Sequence, residues 1–93
     1  MIYKIERVGD FLQVDRGLNK FNGALEEYEG TVIRLDEITQ VNFTITTLKE
    51  KRKAVLSIIK EDSQITFEET EQDVPVLREV YRTIKQILRD WRL

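Results

Sequence analysis

The strongest constraint on the fold lies in the last twenty residues. At 100° per residue, Val74, Leu77, Val80, Tyr81, Ile84, Ile87, Leu88 and Trp91 fall within one apolar sector. Asp73 is placed to cap such a helix, Pro75 suits its first turn, and Arg89 and Arg92 complement the dipole at its carboxyl end. An apolar sector of this width has to be covered. The residues upstream must therefore supply a matching apolar surface.

Those upstream residues read as strands. Residues 2–8 alternate apolar and polar, Gly9-Asp10 follows, and Phe11-Leu12-Gln13-Val14 comes next, which is a hairpin pattern with Gly supplying the positive φ of the turn. "TVIRL" is β-rich and "DEI" makes a brief turn. In "TQVNFTIT", Val41, Phe43 and Ile45 point to one face and Asn42, Thr44 and Thr46 to the other. "AVLSIIK", residues 54–60, is expected to be a buried strand, and "QITFEE" adds one more, with Ile65 and Phe67 inward. Residues 18–29 carry two signals. Asn22-Gly23 marks a hairpin, while Leu18, Phe21, Leu25 and Tyr28 have helical spacing. A strand is the preferred expectation there, with a short helix from Asn22 to Gly30 as the alternative.

The chain has 93 residues, 41% hydrophobic and 34% charged, which suits one folded domain spanning 1–93. It contains no cysteine and no histidine. Disulfides, thiolate metal sites and the usual general base near neutral pH are thereby excluded. Ser57 and Ser63 lack any His or Cys to activate or replace them, and no phosphate-binding glycine motif is present, so an enzyme is not expected. The acidic stretch 61–73 lacks the calcium-loop template and any Gly, so neither a metal nor a cofactor is expected. No apolar run approaches the roughly 20 residues that span a bilayer, and the first ten residues read as a strand and not as a signal peptide. A cytoplasmic location is the expectation.

Charge is segregated along the chain. Residues 47–60 hold five cations against Glu50, 61–73 hold six acids and no base, and 74–93 are again basic. Two clusters stand out. Lys49, Lys51, Arg52 and Lys53 sit between strands expected at 40–47 and 54–60, either as a solvated hairpin turn or as an anion-binding loop. Arg78, Arg82, Lys85 and Arg89 are spaced four, three and four apart, so they line one flank of the helix. They form either a solvated, internally paired face or a surface for an acidic partner. Glu79 and Asp90 are expected to lie off that flank, and Glu68, Glu69, Glu71 and Asp73 can serve as a local acidic strip.

The order "TVIRLDEITQVNF", a hairpin, a further strand and "PVLREVYRTIKQIL" resembles the bacterial branch of the pleckstrin-homology-like (PH-like) domains. The resemblance covers 31–88 and rests on hydrophobic spacing, including Ile38, Val41 and Phe43. It implies a β-rich α+β fold, an antiparallel split barrel of about seven strands in two nearly orthogonal sheets, capped by one C-terminal amphipathic helix. It also implies binding of peptides, proteins or lipid headgroups. The Lys/Arg pattern with which phosphoinositide-binding relatives mark the first hairpin is absent from "ERVGDFLQVDRG". The leading functional expectation is a non-catalytic protein-interaction or oligomerisation domain. It would hold a protein or peptide partner, acidic in character, near a sheet edge and the helix, with homo-oligomers possible through the same edge. The alternative is peripheral binding to an anionic surface, membrane headgroups or nucleic acid. Nucleic acid is the less favoured of these because no aromatic interleaves the cations.

Overall fold

Alternating residues make strands, and the computed structural model of the chain shows how those strands are joined. It describes residues 2–19 and 26–92, with the backbone alone for residues 18, 19 and 26–28. Among the described residues the order is β1 (Tyr3–Val8), β2 (Phe11–Asn19), β3 (Glu26–Arg34), a 3-10 turn (Leu35–Glu37), β4 (Ile38–Leu48), β5 (Lys51–Lys60), β6 (Gln64–Thr70), a second 3-10 turn (Glu71–Asp73) and α1 (Val74–Arg92). The strands form two antiparallel meanders, β1-β2-β3 and β4-β5-β6.

Two open sheets of three strands correct the expected seven-stranded barrel: six strands are present among the described residues. The reason lies in the register of β2 with β3, which runs from Phe11 opposite Arg34 to Asn19 opposite Glu26. The separate strand expected within 18–29 is absorbed into the arms of one long hairpin. Residues 20–25, where a helix starting at Asn22 was the alternative, lie outside the described residues.

Two tight turns set the registers. Val8 pairs with Phe11, and Gly9 has a φ of 60°, so the first central position is left-handed as in a type II′ hairpin. Leu48 pairs with Lys51, and both Lys49 and Glu50 are left-handed, at 52° and 64°, the pattern of type I′. The cationic stretch is therefore a turn for only two residues. Lys51, Arg52 and Lys53 belong to β5, opposite Leu48, Thr47 and Thr46.

The core joins both sheets to the helix. Leu12 and Val14 of β2, Ile33 of β3, Leu35, Ile38, and Ala54, Leu56 and Ile58 of central β5 are buried with Val74, Leu77, Val80, Ile84 and Leu88 of α1. Tyr81, Ile87 and Trp91 are half-buried at the rim of that sector. Asp73 closes the second 3-10 turn and stands directly before Val74, the first residue of α1. α1 touches β1, β4, β5 and β6. Trp91 Nε1 donates to Asp10 Oδ1 at 3.2 Å, which ties the helix end to the β1–β2 turn. Among the described residues no helix is long and apolar enough to cross a membrane.

Candidate functional site

The site is set by the position of β4. It is the first strand of its sheet, so one of its edges pairs with β5 and the other is open. In a two-residue hairpin the flanking pair, here Leu48 and Lys51, exchanges both hydrogen bonds, and the pattern then alternates. Thr46, Thr44 and Asn42 thus direct their main-chain groups to β5. Ile45, Phe43 and Val41 direct theirs to the open edge.

α1 runs beside that edge in the opposite direction. Phe43 stacks on Tyr81 with centroids 5.4 Å apart, and Lys85 Nζ stands 5.4 Å from the Tyr81 ring centroid. Beyond this stack a groove of about 520 Å³ opens between Ile38, Thr39, Gln40 and Val41 on the strand and Lys85, Leu88, Arg89 and Arg92 on the helix. Its floor is apolar and its helical wall is cationic. At the mouth β4 carries a bulge: Ile38 faces Lys60 and Gln40 faces Ile59, leaving Thr39 unmatched, with its hydroxyl donating to the Ile59 carbonyl at 3.0 Å.

The four expected helix cations divide. Lys85 and Arg89 line the groove. Arg82 is bonded to Glu79 at 2.7 Å, an i,i+3 pair, so Glu79 reaches the flank after all. Arg78 is half-buried in the first half of the helix and is not part of the groove wall. Arg92, which the sequence ties only to the helix dipole, completes the wall in their place; its three-residue spacing from Arg89 is the signal that could have found it. Within the acidic strip, Glu68 pairs with Lys53 at 3.2 Å and Glu69 with Arg16 at 2.6 Å.

Lys49, Lys51, Arg52 and Lys53 are exposed at the far end of β4. Lys53 lies opposite Thr46, five strand positions or about 17 Å from Val41, and Lys49 lies eight positions or about 27 Å from it. The two basic clusters therefore do not converge. Arg52 also points to the sheet face opposite that of Lys51 and Lys53, as strand alternation requires.

A second polar cluster escaped the sequence reading, which took Glu69 only as part of a local acidic strip. Glu69 of β6 is buried, and its Oε1 accepts from Arg16 Nε at 2.9 Å, Arg16 Nη2 at 2.6 Å and Tyr3 Oη at 3.3 Å. Burial, followed by the Glu69 carboxylate, pushes the Tyr3 hydroxyl up to about 12, and the Glu69 hydrogen bond raises Arg16. This cluster bolts β1 and β2 to β6 across the two sheets. Its only sequence signal is that Glu69 continues the inward alternation of Ile65 and Phe67. Among the described residues no group of His, Cys, Asp and Glu is arranged to hold a metal ion.

Comparison of the chain with protein-family models, curated proteins and solved structures returns no match.

Proposed function

We propose that this chain is a non-catalytic interaction domain of pleckstrin-homology-like type, which takes a segment of an acidic partner protein as an extra strand on β4. The observation that carries the reading is the coincidence, at one place, of an open strand edge, an apolar floor and the cations Lys85, Arg89 and Arg92. An added segment gains main-chain hydrogen bonds from Val41, Phe43 and Ile45, and its side chains meet the floor. Acidic residues on it face the helical wall, which favours acidic partners and speeds their encounter. A second copy of the chain is one such partner, so self-association on the same edge belongs to the proposal.

Peripheral binding to an anionic surface draws less support, because residues 49–53 and the groove lie at opposite ends of β4. Amide exchange followed by NMR separates the two readings. With a pool of acidic, strand-forming peptides added, exchange at Val41, Phe43 and Ile45 slows, while Asn42 and Thr44 change little. An unaffected β4 edge sinks the proposal. Sedimentation with anionic vesicles that persists at about 0.15 M salt transfers support to the alternative. Light scattering over a concentration series reports any self-association.

A further inference from the structure

We infer that the groove receives the carboxyl-terminal end of its partner, laid antiparallel on β4, with the terminal carboxylate between Lys85, Arg89 and Arg92. The inference rests on the strand-addition reading of β4 and adds a direction and an end group to it. Three features of the groove carry it.

The first is where regular pairing stops. Val41, Phe43 and Ile45 offer edge groups at the usual two-residue interval, but the bulge at Thr39 breaks the interval at the amino-terminal end of β4. A segment zipped along the edge from the Ile45 side runs out of ladder there. A chain that ends at this point loses nothing.

The second is charge. Arg89 and Arg92 have no carboxylate partner among the described residues, and the Lys85 ammonium rests on the Tyr81 ring. Of the acids around the groove, Glu37 pairs with Lys60 at 3.2 Å, Asp36 with Arg34 at 2.8 Å and Glu79 with Arg82 at 2.7 Å, and Asp90 accepts from Gln86 at 2.8 Å, while Glu61 and Asp62 line a separate hollow beyond Thr39. A chain terminus bringing its own negative charge meets three cations beside an apolar floor, where charge-assisted hydrogen bonds are strong. An amino terminus would bring a positive charge to the same place and be repelled.

The third is polarity. The cations stand at the amino-terminal end of β4, so a segment whose carboxyl end reaches them runs antiparallel. That is also the slightly more stable pairing per residue.

The test uses two matched pools of random octapeptides, one with free carboxyl termini and one amidated, selected on the intact chain and read by mass spectrometry. Free-carboxylate peptides are expected to be retained. Amidating a retained peptide, or extending it by two glycines, should weaken binding at least tenfold. Arg89→Gln with Arg92→Gln should abolish the preference for the free terminus while the melting temperature stays within a few degrees. Equal binding of free and amidated forms overturns this inference and leaves strand addition standing. A free-terminus preference that survives in the double variant also overturns it. Retention of nothing from either pool overturns both.

Discussion

Tyr3, Arg16 and Glu69 place an ionic contact where two sheets meet, and burial gives the contact a pH signature. The Tyr3 hydroxyl titrates near 12 in the folded chain, against about 10 when unfolded. The folded state therefore holds more protons between those values, and stability falls as pH rises through that window. Tyr3→Phe, which keeps the ring edge-on to Phe67, should flatten the decline. Melting curves of both proteins from pH 9 to 12 check this. The turn at Lys49-Glu50 offers a second test at the same scale. Both residues hold left-handed backbone that suits Asn-Gly, and non-glycine residues adopt it at a cost of roughly 1–2 kcal/mol each. Lys49→Asn with Glu50→Gly should stabilise the chain by about 1 kcal/mol in urea titrations. It removes two charges remote from the groove, so peptide binding should be unchanged.

At the scale of elements, β5 and α1 have different duties. β5 is the central strand of its sheet, and its inner residues Ala54, Leu56 and Ile58 are fully buried. α1 covers that face with Leu77 and Ile84, both at 0% exposure. Ile84→Ala should cost about 2–5 kcal/mol, the range for a large aliphatic lost from a packed core, measured as a drop in the urea midpoint. β4 presents the opposite case. It is an eleven-residue edge strand without proline, and the single irregularity in its register lies between Ile38 and Gln40. Edges this long are ordinarily blunted against unwanted pairing. Here the neighbouring helix leaves room beside it and supplies charge, which suits selective pairing.

For the molecule as a whole, one helix serves both the core and the groove. Its buried face closes the core shared by both sheets, and its Lys85–Arg92 end forms one wall of the groove. Removing residues 74–93 uncovers Leu12, Leu56 and Ile58 together, a large apolar surface for so small a domain. The truncated chain should lose its cooperative melt and aggregate, as read by calorimetry and light scattering. Outside the core, Val8, Phe11 and Val32 form an exposed apolar patch on the outer face of the first sheet, with a shallow hollow of about 310 Å³.

Most of the secondary structure was legible in the sequence because it follows from period. Two-residue alternation marked Ile65, Phe67, Val41 and Phe43 as inward, and the 3.6-residue period marked the helix face from Val74 to Leu88. The strand count was not legible, since β2 and β3 merge through long-range register, which local signals at 18–29 do not encode. The site was only half legible. Lys85 and Arg89 were found by their spacing, but Arg92 joins them, and Arg82 leaves them for Glu79, through geometry. What the sequence by itself determined is which side chains face inward, because facing depends on residues two to four apart. Only the tertiary structure decided which charges meet, which edge stays open and where Thr39 breaks the ladder. Those depend on contacts between residues distant along the chain, and no local pattern specifies them.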